Sequence, residues 1–318
     1  MESTQANVGA TSVWGLPNHI YFASLVAVSI PLFWSPLRTL ADYSLRTGQH
    51  EFDKYSHALL IPLISALLVW RERNRAFRKI ERSYAVGGLM FFTALSLDAL
   101  PRIAGWPRAE GALSLQLPGL ALFWAAAFIS CYGTQAAGAM RFPLLFLLLM
   151  VPLPNVILDP LLKLVQFGSA EFCSATFSVF GVPFMRDGFV FTLPAVSIEV
   201  AKECSGIHSS IALFIVSLIA AYLFLSSLWA RTLLAVCVVP VVSLSNGVRI
   251  AGLSLLASYI DPGFLYGSLH RQGGAAFFLL ALSMLYLVLR LLRRLDRGTL
   301  VRGQPLEGSD GTIAPKAA

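Results

Sequence analysis

Apolar residues in this chain come in long blocks, not in the strict alternation of a half-buried strand or the one-sided stripe of a surface helix. Eight blocks approach the length that crosses a bilayer, roughly 20 residues at 1.5 Å rise. They are residues 19–37, 57–71, 84–101, 113–131, 137–154, 206–228, 232–259 and 273–292. The second and fifth are short or interrupted by proline, so the pattern also accommodates seven or nine spans. Between the fifth and sixth blocks the period changes. Val156 to Phe180 has helical spacing and few charges, and is expected as a helix lying in the membrane interface. Arg186-Asp187-Gly188 is a turn signal, followed by the short runs Phe189-Val190-Phe191-Thr192-Leu193 and Ser197-Ile198-Glu199-Val200. These predict a small β-element.

The expected fold is therefore an all-α polytopic membrane protein of about eight helices, with a small helix and β-element inserted at about 155–205 on the outer face. Residues 1–18 are expected as a polar tail, 19–292 as one integral membrane domain, and 293–318 as a basic, disordered cytoplasmic tail. Composition agrees: 56% of the 318 residues are hydrophobic and 13% charged, where a soluble domain carries about a quarter charged. The first 37 residues hold no Lys or Arg, so no cleavable signal peptide is expected.

Charge placement sets orientation. The run from Arg71 to Arg82 carries six positive charges directly after the second block, and the stretch from Arg290 to Lys316 carries another six. Both belong on the cytoplasmic side by the positive-inside rule. Six blocks separate them, an even number, so the two assignments agree and both termini are expected inside the cell. The net charge of +7 is explained by these helix ends, and the bilayer, not nucleic acid, is the expected partner.

Candidate chemistry gathers late in the chain. Cys204 lies where the polar segment Glu203-Cys204-Ser205-Gly206-Ile207-His208 runs into the sixth block. A cysteine at a helix N-terminus meets unpaired backbone N–H groups and the positive end of the helix dipole, which favour the reactive thiolate. Arg249 sits inside the seventh block, where an arginine costs about 2.5–3.5 kcal/mol on insertion scales and faces a bundle interior or a wet cavity. It follows Arg231 by 18 residues, about 27 Å along a helix, which places it near the outer edge of a hydrocarbon core about 30 Å thick. Cys204 and His270 bracket that same level. Asn246 precedes Arg249 by three residues, on the same helical face. A thiolate nucleophile, an imidazole acid/base and a guanidinium beside the developing oxyanion form a coherent acyl-transfer set.

Other readings stand beside this one. Cys204 could be inert or bridged to Cys173; Arg249 could snorkel to the outer headgroups. His208, four residues after Cys204, competes with His270 as the base. His57 could be a polar residue at a helix start, and Glu203 a solvated carboxylate. Cys131 and Cys237 lie in apolar runs and read as buried hydrophobes. No metal-type cysteine spacing occurs, and no cofactor or metal is expected. A transporter or export component is the rival class; it would call for charges near mid-membrane, for which Asp98 is the best candidate.

The ordered set of motifs resembles the exosortase/archaeosortase family of membrane cysteine transpeptidases. The resemblance rests on Tyr55-Ser56-His57, Pro152-Leu153-Pro154, Gly181-Val182-Pro183 with Arg186-Asp187-Gly188, Glu203-Cys204-Ser205-Gly206, Asn246-Gly247-Val248-Arg249-Ile250 and His270, across about residues 50–290. It implies Cys204, Arg249 and His270 as catalytic residues, and moves the weight from His208 to His270. Asn246, Glu203, His57 and His208 would be supporting residues. The implied substrates are exported proteins ending in a Pro-Glu-Pro-type motif, a hydrophobic helix and a basic tail, whose acyl group passes to an unidentified acceptor. The implied location is the inner membrane, with the site on the outer face. Two positions depart from the family pattern: Ala58, where glycine is frequent, and His208, which adds a second base.

Overall fold

The computed structural model describes residues 16–45, 57–77, 82–106, 110–152, 155–194, 196–200, 207–261, 263 and 274–302. It divides into two compact units, Met1–Leu161 and Leu162–Ala318, a division that the hydropathy pattern does not announce.

In the first unit, α1 (Leu16–Leu32) and α2 (Trp34–Leu45) meet at a 78° bend beside Phe33, between Pro31 and Pro36. α3 (Leu60–Arg71) and the one-turn α4 (Arg73–Ala76) lead to α5 (Tyr84–Ile103) and α6 (Glu110–Ala139). α5 and α6 pack as a close hairpin. A Cβ on Gly119 would lie 2.9 Å from the Ala94 carbonyl oxygen, closer than side-chain carbons come, so a glycine is required there. Gly133 (φ 90°) kinks α6, a conformation open to glycine and costly for other residues. Asp98, the rival reading's mid-membrane charge, is paired with Arg102 one turn along α5, 2.7 Å away, and lies near the helix end. α7 (Arg141–Phe146) and a 3₁₀ turn (Leu147–Met150) follow, and α8 (Asn155–Val179) runs on into the second unit. The fifth expected span, 137–154, is thus not one helix. The chain breaks at Met140 and again after Met150, near Pro143 and Pro152, which lack the N–H a continuous helix needs.

The second unit continues α8 into β1 (Met185–Asp187), β2 (Val190–Thr192) and β3 (Ser197–Glu199), an antiparallel sheet in the order β1-β2-β3. Asp187 pairs with Val190 around Gly188 (φ 59°) and Phe189, a two-residue hairpin with glycine first. Arg186 and Asp187, expected in the turn, lie in β1 instead. Phe191 and Ile198 face each other across the register and reach down to Cys173, Phe177 and Ala251. Arg186 spans the Phe191 ring and pairs with Glu171 of α8 at 2.9 Å, pinning the sheet to that helix.

α9 (Ile207–Phe224), α10 (Leu228–Val236), α11 (Val238–Tyr259) and α12 (Gly274–Arg302) complete the unit. α10 and α11 read as one span broken at Cys237, because Pro240 cannot donate to the Val236 carbonyl. α12 continues to Arg302, into the stretch expected as tail. Its buried Asp296 accepts the backbone N–H groups of Ser226 (2.6 Å) and Ser227 (3.3 Å), capping α10 from a neighbouring helix.

Among the described residues, four helices are long and apolar enough to cross a membrane: Tyr84–Ile103, Gly111–Ala139, Leu228–Tyr259 and Gly274–Arg297. Two bent pairs, α1 with α2 and the 141–150 segment with α8, bring the number to six. The second and sixth expected spans coincide with shorter apolar helices, Leu60–Arg71 and Ser209–Phe224. The chain is a helical, polytopic membrane protein; among the described residues four to six candidate spans meet this test, where eight were expected.

Candidate active site

Arg249 stands in the middle of α11, half-buried, on the wall of a cavity of about 440 Å³. The cavity opens between α9, α11 and the first turns of α12. Ser209 lines it from α9, Ser245, Asn246 and Arg249 from α11, and Gly274 and Phe277 from α12. Arg249 is the one charged residue among the described lining. Its guanidinium has five N–H donors in a planar fork, and in a largely apolar enclosure its field acts with less screening than in water.

The residues before Arg249 explain how α11 is held. A Cβ on Gly247 would sit 2.6 Å from Phe172 Cβ and 3.1 Å from the Ser169 carbonyl, so α8 and α11 touch closely at this glycine. The buried Cys173 thiol donates to the Gly247 carbonyl (3.4 Å) and is a free cysteine. Asn246 is 7% exposed and donates from Nδ2 to the Ser169 hydroxyl at 3.1 Å. That hydroxyl in turn donates to the Val165 carbonyl at 2.8 Å. Because the Ser169 proton is used on Val165, its oxygen accepts, and the Asn246 amide is fixed with nitrogen toward α8. The Ser245 hydroxyl donates to the Phe277 carbonyl at 2.7 Å, tying the opposite side of α11 to α12. Asn246 and Gly247 lock onto α8, Val248 turns outward (41% exposed), and Asn246 and Arg249 both line the cavity.

Gln166, one turn before Ser169, donates to the Val200 carbonyl at the end of the β-element. One face of α8 therefore holds both α11, through Ser169, and the strand end four residues before Cys204. Sequence reasoning did not single out Gln166, Ser169, Ser209 or Ser245. The available signal was small polar residues three or four apart on apolar helices, which is common and weak.

Glu203, Cys204 and His270 lie outside the described residues. Their neighbours do not: Ser209, five residues after Cys204, and Gly274, four after His270, both line the Arg249 cavity. The His208 backbone forms part of the first turn of α9. His57 belongs to the first unit, in the turn before α3, where its carbonyl accepts the Leu60 N–H at 3.0 Å. The structure thus brings Asn246 and Arg249 to one cavity and leaves His57 in a different unit.

The spans define a membrane-embedded helical protein with a largely apolar cavity, carrying Arg249 on its wall, among its C-terminal helices. The match to a known family is specific: the chain belongs to the transmembrane exosortases, whose profile covers residues 50–287, about three quarters of its length. That is the family its motifs resemble. No curated protein and no solved structure matches the chain.

Proposed function

We propose that this exosortase is a cysteine peptidase or transpeptidase acting on C-terminal sorting signals at the outer face of the inner membrane. The reading is carried by one observation: Arg249 and Asn246 share a cavity with the first turns of the two helices that follow Cys204 and His270.

In this mechanism the Cys204 thiol gives its proton to His270, and the sulfur attacks the scissile carbonyl, forming a C–S bond and an oxyanion. Arg249 receives the oxyanion with its N–H fork, stabilisation that grows as charge develops. Collapse breaks the C–N bond, and His270 returns the proton to the departing amine. The remaining thioester passes its acyl group to an acceptor nucleophile or to water. Asn246 keeps Arg249 in register through α8, and Glu203 flanks the nucleophile. Exported proteins with a Pro-Glu-Pro-type motif, a hydrophobic helix and a basic tail are the substrates; the basic tail and both termini of the enzyme face the cytoplasm.

Hydroxylamine tests the thioester. Added to membranes holding the enzyme and an exported reporter with such a signal, it should give a reporter ending in a hydroxamate, detected by mass spectrometry. Cleaved reporter with no hydroxamate at any concentration would count against an acyl-enzyme.

A further inference from the structure

The first unit contains a cavity of about 660 Å³, within the size range of ligand sites, that the proposed chemistry does not use. It runs along helices. α1 contributes His19, Phe22 and Val26, one face at helical spacing, and α6 contributes Trp124, Phe128 and Tyr132, four residues apart. α3 contributes a face from Pro62 to Trp70, continued by Arg73. From Pro62 to Arg73 is 11 residues, about 16 Å of helix, or half of a hydrocarbon core about 30 Å thick. The slot is one leaflet deep.

Its two ends differ. At one end His19 Nδ1 and Tyr132 Oη are 2.7 Å apart, ringed by Phe22, Phe77 and Phe128. Arg73 lies at the same end of the bundle, its guanidinium 4.5 Å over the Trp70 ring and donating to the Trp70 carbonyl at 3.0 Å. Among the described residues no carboxylate pairs with it. Trp70 is 66% exposed, so the slot is open at this end, and tryptophan and arginine are side chains suited to the headgroup level of a membrane. Toward the other end the lining is Val26, Pro62 and Leu147. There the polar groups answer one another: Trp124 donates to Ser29 (2.9 Å) and Ser65 to the Pro143 carbonyl (2.7 Å).

A cation with no carboxylate partner among the described residues, at the mouth of an apolar slot one leaflet deep, suits an anionic amphiphile. We propose that the first unit binds an anionic phospholipid, with its phosphate on Arg73 beside His19 and one acyl chain in the slot. Arg73 belongs to the run with six positive charges, so the lipid comes from the leaflet that faces this run, the cytoplasmic one on the orientation above. The proposal does not depend on the peptidase reading.

The test is native mass spectrometry of the full-length protein, delipidated in detergent and titrated with dioleoyl-phosphatidylglycerol or dioleoyl-phosphatidylcholine. One phosphatidylglycerol adduct should persist where phosphatidylcholine is lost. Arg73→Gln should weaken phosphatidylglycerol retention about fivefold, the effect of one basic side chain near a headgroup. Ala66→Phe, which fills the slot without touching charge, should remove the adduct. If Arg73→Gln does not elute as a monodisperse peak, Arg73→Lys replaces it, and retention should then be largely kept. Equal retention of both lipids, or retention unaffected by Ala66→Phe, would overturn the proposal. Displacement of the lipid by a synthetic hydrophobic helix with a basic end, at equimolar concentration, would reassign the slot to a protein segment.

Discussion

Arg249 shows how a single residue can be legible in sequence while its setting is not. A guanidinium in an apolar block is costly enough to demand a reason, and the cavity supplies one. Its spacing from Asn246 placed the two on one helical face, and both line that cavity; the Asn246 nitrogen is also engaged by Ser169, a serine with nothing in its local sequence to mark it. Arg249→Lys keeps the charge but loses the planar fork. Turnover of a reporter should fall by about 10²-fold, the usual effect of removing an oxyanion donor, while Cys204 alkylation stays unchanged. Ser169→Ala removes the acceptor for Asn246 and should lower turnover less than Asn246→Ala does, because Asn246 also lines the cavity. A pH profile of Cys204 alkylation should give an apparent pKa below that of a free thiol, about 8.5. Of the two candidate bases, His270→Ala should abolish processing and His208→Ala should leave most of it; the reverse result would exchange their roles.

Among elements, the β-hairpin was readable because Gly188 punctuates short apolar runs, although the turn falls one step later than its motif suggests. The broken fifth span and the longer α12 were not readable. Hydropathy reports apolar length, but prolines and remote caps decide where a helix stops, and Asp296 acts on Ser226 and Ser227 from 70 residues away. Asp296→Ala should cost about 1 kcal/mol, as the loss of a helix cap does, visible as a lower Tm in detergent with unchanged turnover per folded molecule. Gly247→Ala places a methyl against Phe172 and the Ser169 carbonyl. It should destabilise the second unit by about 1–3 kcal/mol, the range for overpacking a tight contact, and lower turnover with it, as α8 and α11 separate.

For the whole molecule, composition pointed to a membrane protein and the ordered motifs, across about residues 50–290, to the family whose profile matches residues 50–287. Neither revealed two compact units, since apolar blocks look alike whichever neighbours they pack against. On the orientation we propose from charge placement, a fluorescent protein fused after Ala318 should fold and fluoresce, and alkaline phosphatase fused there should be inactive. The opposite pattern would invert the topology and move Cys204 to the cytoplasmic face. The most direct test of the central claim is cleavage of an exported reporter bearing a Pro-Glu-Pro-type signal, co-expressed with wild-type enzyme or Cys204→Ala. Cleavage should require the wild-type cysteine, and equal cleavage by both would contradict the mechanism.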